Sequence, residues 1–310
     1  MPAPPRRENA DPAGRSGVLV VDKPPGPTSH DIVAVVRRRF RGAKVGHTGT
    51  LDPFATGVLP IVIGRATRLA RYLSGAEKEY DALIRLGRAT DTHDSTGKVV
   101  FEAPDHLPLP AVEAVTAELE GYLGTWMQTP PAYSAKLAAG VRAYEQARRG
   151  EPVELAPVAV TVSEIELLSM TGPLVRVRLV SSAGFYVRAL AHDLGLKLGT
   201  GATLDGLRRL RSGPFGLADA VALDAVMQAG VETRLLPLES LLPEWPAIAL
   251  TREGVEWISH GRSVGPAQCA EGRRGAPAGC HLRLLGPDGR LVAIGDAGPG
   301  GVLHPAVVLM

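Results

Sequence analysis

The twelve residues from Gly46 to Gly57, GHTGTLDPFATG, constrain this chain more than any other stretch. Three glycines and one proline in twelve positions forbid a regular helix or a central strand across it. The stretch is bracketed by ordered sequence: a basic, helix-like segment precedes it and the apolar run Val58–Ile63 follows it. A tight loop held between two ordered elements is a common seat of chemistry when its polar residues are few. Here they are His47, Thr48, Thr50, Thr56 and a single carboxylate, Asp52. On spacing alone two readings stand together, a functional carboxylate and a turn residue bonded to its own backbone.

The flanks read as alternating elements. Gly17–Lys23 is a β-branched run and predicts a strand, stopped by Pro24-Pro25-Gly26-Pro27. Thr28 or Ser29 then caps a helix with Asp31 in its first turn, an apolar stripe of Ile32, Val33, Val36 and Phe40, and Arg37, Arg38 and Arg39 near its end. Val58–Ile63 predicts a buried strand, Ala66–Leu73 a short helix and Lys78–Gly87 a further strand. Thr90–Gly97 holds Asp91, His93 and Asp94, but it lacks the alternating oxygen ligands and closing Glu of a calcium loop, so it reads as a polar turn and no metal is expected. Leu109–Leu123 predicts an amphipathic helix with Val112, Val115, Leu119 and Leu123 near one face, and Val141–Arg149 a basic helix. Two strands follow around Val158–Leu168 and Leu174–Ser181, then a helix ending near Gly199. Past Leu242–Pro246 the texture turns Gly-rich, with strand-like runs at Ala247–Leu250, Leu282–Leu285, Leu291–Gly295 and Val302–Val308, which predict a small β domain.

Size and composition narrow the classes. A chain of 310 residues, 45% hydrophobic, suits one large domain or two. It holds no run of eighteen apolar residues, so no membrane-spanning helix is expected, and residues 1–15 read as a disordered polar tail. Cys269 and Cys280 fit neither a disulfide framework nor a four-ligand zinc site, and a reduced, cytoplasmic protein is the expectation. The net charge of +2 says little about nucleic acid, but between Ser29 and Tyr72 eight basic residues face two acidic ones. That concentration beside the loop suits a phosphate-rich partner, the alternative being a solvated helix face. Neither GxGxxG nor GxxxxGK[ST] occurs, which agrees with a chemistry that uses no nucleotide cofactor.

The loop and its surroundings resemble the TruB family of tRNA pseudouridine synthases. GHTGTLDPFATGVLP matches the family's catalytic loop, Asp22-Lys23-Pro24 through Thr28-Ser29 its opening motif, and Arg85–Gly97 its "RLGxxTDTxDxxG" stretch. Thr129–Lys136 and Gly140–Arg148 match "PPxYSAxK" and "GxRxYExAR", except that Leu137 stands at the family's Lys and a Lys sits one residue earlier, at Lys136. Ser182–Arg188 resembles "CSxGTYIR", with Phe185 in place of the usual Thr, and Gly201–Leu210 resembles "GxxAxxxxLRR". The similarity runs in order from about Val18 to Leu210.

The resemblance implies an α+β pseudouridine synthase fold, a mixed and mostly antiparallel sheet flanked by helices around a catalytic cleft. Residues 16–243 would form it, with 132–152 as an RNA-gripping insertion and 246–310 as a small β-rich, PUA-like RNA-binding domain. It implies Asp52 as the catalytic carboxylate, Arg188 as its partner and Tyr80 at the uracil. His47, Lys23, Tyr186, Leu207 and Asp91 would bind substrate, and Arg37, Arg38, Lys44, Lys136, Arg142 and Arg208 would bind RNA. The substrate would be the T-stem-loop of tRNA at uridine 55, with no cofactor, no obligatory protein partner and a monomeric chain. Between burial, which raises the Asp52 pKa, and Arg188, which lowers it, the arginine is expected to win. Three rivals remain: a guide-RNA-dependent relative, an RNA-folding chaperone, and a carboxylate hydrolase built on Asp91 and Asp94.

Overall fold

A computed structural model describes residues 15–104, 106–134, 136–138, 141–143, 146, 149, 155–270 and 277–310. Gly17–Lys23 forms strand β1, buried almost throughout, and helix α1 spans Ser29–Arg39. Thr28 is the residue that caps it: its hydroxyl accepts from the Asp31 N–H while the Asp31 carboxylate accepts from the Thr28 N–H. Val45–His47 is β2 and Thr56–Ile63 is β3. β1 and β3 run antiparallel from Gly17↔Ile63 to Lys23↔Gly57, a register that delivers Lys23 to the end of the Gly-rich loop.

The remaining elements of the large sheet follow in order. A 3-10 turn, Gly64–Leu69, precedes the short helix α2 (Ala70–Ser74), where one helix was expected. β4 (Lys78–Leu86) alternates strictly, burying Lys78, Tyr80, Ala82, Ile84 and Leu86. β5 (Arg88–Thr90) and β6 (Val99–Glu102) flank the polar turn. Then come α3 (Val112–Glu120), β7 (Gly124–Gln128), β8 (Leu137–Ala138), β9 (Val141–Arg142), β10 (Val158–Thr171), β11 (Leu174–Ser181), α4 (Val187–Lys197), β12 (Ala202–Ser212), β13 (Phe215–Gly216) and β14 (Val221–Ala222). The sheet order is β14-β1-β3-β12-β4-β11-β10-β7, with β2 on β3 and β13 on β12. Within this sheet, among the described residues, β1–β14 and β3–β12 are the parallel pairs and the others are antiparallel, so the mixed, mostly antiparallel sheet stands as read.

Helices α3 and α4 close one core over β4, β10, β11 and β12, and α1 closes another over β1 and β3. Two readings need correction. Helix α3 is shorter than its apolar pattern suggested: Val115 and Leu119, four residues apart, are buried, whereas Val112 and Leu123 face solvent. Val141–Arg142 is a strand paired with Leu137–Ala138, not the start of a helix. The expected tail, parts of the 132–152 insertion, and residues 271–276 lie outside the described residues.

The C-terminal run forms β15 (Ala247–Ala249), helix α5 (Arg252–Ser259), β16 (His281–Leu285), β17 (Leu291–Ala297) and β18 (Leu303–Val308), in a four-stranded sheet of that strand order. Helix α5, capped by Thr251, was not anticipated. This sheet is not packed apart from the rest. Leu291, Ile294 and Leu309 share a buried cluster with Val18, Val58, Leu69 and Leu73.

Pro60 lies inside β3, where a missing N–H would normally break a ladder. Its tolerance follows from a gap beside β3. There β12 pairs with Thr56 and Gly57, β2 pairs with Ile61 to Ile63, and no strand meets the residues between. The Arg209 side chain fills that gap, its Nε donating to the Val58 carbonyl at 2.7 Å. Gly57, at φ +101°, is the residue this arrangement cannot change: a Cβ there would stand 2.2 Å from the Arg209 carbonyl oxygen. Gly57→Ala is expected to destabilise the fold by about 3 kcal/mol, from backbone strain plus overpacking. Chemical denaturation checks this, and an unchanged midpoint would contradict the close packing of β3 on β12.

Candidate active site

Four side chains fix the Gly-rich loop from beneath. Lys23, fully buried, donates its ammonium to the carbonyls of Pro24 (3.0 Å), Pro53 (3.0 Å) and Ala55 (2.7 Å). Ser29, in the first turn of α1, exchanges hydrogen bonds with Leu51: its Oγ accepts from the Leu51 N–H at 2.9 Å and donates to the carbonyl at 3.1 Å. Arg209, also buried, donates to the Gly49 carbonyl at 3.1 Å as well as to Val58. The fourth is Arg188, which reaches Asp52 itself. A loop rich in Gly and Pro has little order of its own; these bonds supply it and leave its buried carbonyls satisfied.

Arg188 enters from the first turn of α4. Just before that turn, the buried Gln128 of β7 clamps the chain: its Oε1 accepts from the Tyr186 N–H at 2.8 Å and its Nε2 donates to the Tyr186 carbonyl at 3.0 Å. The Arg188 guanidinium then donates Nε to Asp52 Oδ2 at 2.9 Å and Nη2 to Oδ1 at 3.2 Å, a bidentate pair. Its remaining donors go to the carbonyls of Thr92 (2.9 Å) and Tyr133 (2.8 Å), and Asp94 Oδ2 lies 3.7 Å from Nε. The Arg188 side chain is 5% exposed; that of Asp52 is 33% exposed, so the carboxylate is the open end of the pair.

The expectation that arginine would win the contest over the Asp52 pKa is corrected. Burial pushes Asp52 above the ordinary carboxylate value, Arg188 pulls it down, and the nearby Asp94 charge pushes it up again. Asp94 is itself held by the turn, its Oδ1 accepting from the Thr96 N–H (3.0 Å), the Thr96 hydroxyl (2.6 Å) and the Thr92 hydroxyl (2.9 Å).

The other expected site residues divide. Tyr80, nearly buried on β4, sits opposite Arg209 in the sheet register and is its electrostatic neighbour. Leu207, on β12, is partly buried between the core under α4 and the core under α1, and its carbonyl accepts from the Thr56 hydroxyl. Tyr186 is two residues from Arg188, and burial pushes its hydroxyl up. His47 ends β2. Its Nδ1 accepts from the Gly49 N–H at 3.3 Å, its ring meets His30 edge-on at 5.5 Å, and burial holds its pKa below the usual value. The ring thus accepts from the backbone of its own loop.

Three residues expected at the substrate or RNA have partners within the protein. Lys23 is a loop staple without a surface to offer substrate, and desolvation lowers its pKa to about 8. Asp91 closes the polar turn, its Oδ1 accepting from the Lys98 N–H at 2.8 Å. Arg208 is held in a two-pronged pair with Asp22 at 3.1 and 2.7 Å, with both side chains still partly exposed. Arg37 and Arg38 are exposed, and Arg37, Lys44 and His47 line a shallow cleft of about 470 Å³. Lys136 is half-buried, and of Arg142 only the backbone is described. Sequence reading missed Ser29 and Gln128 as anchors, Arg209 as the gap filler and Asp94 as a partner of Arg188. Arg209 was visible only as one of a basic pair, and Gln128 carried no signal.

Residues 37–187 match the family model described as TruB family pseudouridylate synthase (N terminal domain), and residues 188–243 match that of the tRNA pseudouridylate synthase B C-terminal domain. The chain is 44% identical over 297 residues to tRNA pseudouridine synthase B of Solibacter usitatus, covering 94% of this chain and 99% of that protein. It is 43% identical to the protein of the same name from Geobacter sulfurreducens, over 91% and 93% of the two chains. Among solved structures, an H/ACA RNP bound to a substrate RNA containing 2′-deoxyuridine holds a chain 28% identical to this one. The TM-score is 0.73, with 96% of this chain and 86% of that one covered.

A carboxylate acts as nucleophile or base only when ionised, so with Asp52 in that role activity is expected to fall as pH drops through its pKa. Asp94→Asn removes a charge that raises that pKa. The acid limb of the kcat/KM profile is therefore expected to move to lower pH, and a limb that stays or moves up would contradict the coupling.

Proposed function

The chain belongs to the TruB family of pseudouridylate synthases, and from that premise we propose that it isomerises uridine 55 in the T-stem-loop of tRNA to pseudouridine. The observation that carries the reading is the bidentate Asp52–Arg188 pair on a loop fixed by Lys23, Ser29 and Arg209. Converting uridine to pseudouridine breaks the N1–C1′ bond, turns the uracil and forms a C5–C1′ bond; C5 loses a proton and N1 gains one. Nothing is oxidised or reduced, so the reaction calls for no redox cofactor. It calls for a carboxylate at the sugar that is charged, immobile and exposed on one side.

Asp52 is held by two hydrogen bonds and open on one side, and its ionised form is the one that reacts. Its carboxylate either attacks C1′ or takes the C2′ proton, and in both cases Arg188 keeps it oriented through two parallel hydrogen bonds. Tyr80, paired with Arg209 across the sheet, is assigned to the uracil, and Leu207 to an apolar wall. The target base must leave the RNA stack to reach Asp52, at a cost of a few kcal/mol, and His47 is assigned to the vacated space. Arg37, Arg38 and Lys44 supply phosphate contacts along the adjoining surface. Residues 16–243 carry catalysis and 246–310 add an RNA-binding unit; the chain acts as a cytoplasmic monomer. No helix is long and apolar enough to cross a membrane among the described residues.

A guide-RNA-dependent activity is the second reading, favoured by the likeness to the H/ACA RNP structure. The higher identity, 44% over 94% of this chain, lies with the proteins named tRNA pseudouridine synthase B. The purified chain is expected to convert one uridine in a synthetic T-stem-loop with no added RNA. Conversion only when a guide RNA is added would favour the second reading. Arg188→Lys, which keeps charge but loses the planar fork, is expected to lower the single-turnover rate by about 10²-fold. A rate equal to wild type would remove Arg188 from the mechanism.

A further inference from the structure

Two histidines stand face to face beside Arg188 and have no part in the chemistry above. His93 and His192 stack with ring centroids 3.8 Å apart and planes 4° from parallel. Their places in the fold give the contact its meaning. His192 lies one helical turn beyond Arg188 on α4, on the same side of the helix. His93 lies between Thr92, whose carbonyl accepts from Arg188 Nη1 at 2.9 Å, and Asp94, whose carboxylate is 3.7 Å from Arg188 Nε. The stack thus ties the helix that carries the arginine to the turn that carries two of its partners.

Other bonds fix the turn elsewhere. Leu204 N–H donates to the His93 carbonyl and Ser95 N–H to the Leu204 carbonyl, both at 3.0 Å, which hold the turn to β12. Toward α4 the turn is held by the Arg188–Thr92 bond and, one helical turn further on, by the stack. His93 also keeps an unusual backbone: φ is +62°, in the left-handed region that a non-glycine residue adopts at a cost. Its Nδ1 is buried without a hydrogen-bond partner among the described residues, so the ring is kept in place by its face rather than its edge. Burial and the charges of His192 and Arg188 push His93 down to about 4, against the opposing pull of Asp94 and Asp91, so the imidazole is neutral near pH 7.

We propose that the His93–His192 stack is a positioning clamp that sets Arg188, and through it Asp52, in the geometry the isomerisation needs. The proposal deepens the activity assigned above and rests on it for its catalytic consequence. The histidines are positioning residues, acting through Arg188 without touching the reacting atoms.

The test measures two things in full-length protein carrying His192→Ala, His192→Phe or His93→Gly. The first is hydrogen exchange of the Arg188 Nε–H, followed by ¹⁵N–¹H NMR. The second is the single-turnover rate on a T-stem-loop, with RNA affinity measured in parallel. His192→Ala should speed the exchange and lower the rate about tenfold, while Kd stays within about twofold. His192→Phe keeps an aromatic face and should restore both. His93→Gly removes backbone strain and should still lose both, which separates a clamp from a general loss of stability. Unchanged exchange in His192→Ala, or failure of phenylalanine to restore it, would overturn the proposal. So would a loss confined to RNA affinity. A wild-type protein that converts no uridine would count against the activity, and the exchange measurement would still decide the clamp.

Discussion

The arrangement depends on one ion pair. Arg188 is almost wholly buried, and a guanidinium removed from water is tolerated only when its donors are satisfied. Asp52 takes two of them, Thr92 and Tyr133 take others through their carbonyls, and Asp94 adds charge at 3.7 Å. The partners come from three parts of the chain: the Gly-rich loop (Asp52), the polar turn after β5 (Thr92 and Asp94) and the segment after β7 (Tyr133). The pair therefore organises three segments as well as one carboxylate. The same crowding explains why Asp52 sits above its ordinary pKa despite its arginine. A second acid is close by, and the protein around the carboxylate replaces most of its water.

A second buried arginine performs a structural task of the same kind. Arg209 fills the gap beside Pro60 on the edge of β3 away from β1, and it joins Val58 of β3 to Gly49 of the loop. Burial without a carboxylate partner lowers its pKa, and carbonyl oxygens do the stabilising. The catalytic loop thus lies between two guanidinium groups, one facing the carboxylate and one facing the backbone beneath it. A close-packed strand with a proline in it and a loop with three glycines become rigid because side chains supply the missing hydrogen bonds.

Much of this was legible in sequence, and the exceptions have physical causes. Partial alternation exposed β4, capping chemistry exposed α1, the long motif around Asp52 exposed the loop, and the Ser182–Arg188 motif exposed Arg188, the partner of Asp52. Lys23, Asp91 and Arg208 were legible as motif residues but not in their roles, because a sequence pattern records which residue is present and not which way it points. Lys23 faces inward since β1 ends in register with Gly57; Arg208 meets Asp22 because β12 passes alongside Thr56. Gln128 and the His93–His192 stack were invisible, since each depends on contacts between segments 58 and 99 residues apart. Val112 and Leu123 misled for a different reason: apolar spacing gives a face, but how much of that face is covered depends on what packs there.

Replacing Asp52 by Asn is the most direct test of the carboxylate's role. Asparagine is nearly isosteric and can still accept one hydrogen bond from Arg188, so the loop and the RNA surface should remain intact. Binding of a T-stem-loop and formation of pseudouridine would be measured on the same preparation. Binding within a few-fold of wild type with no detectable conversion is the expected outcome. Conversion at the wild-type rate would contradict it and move the chemistry away from Asp52.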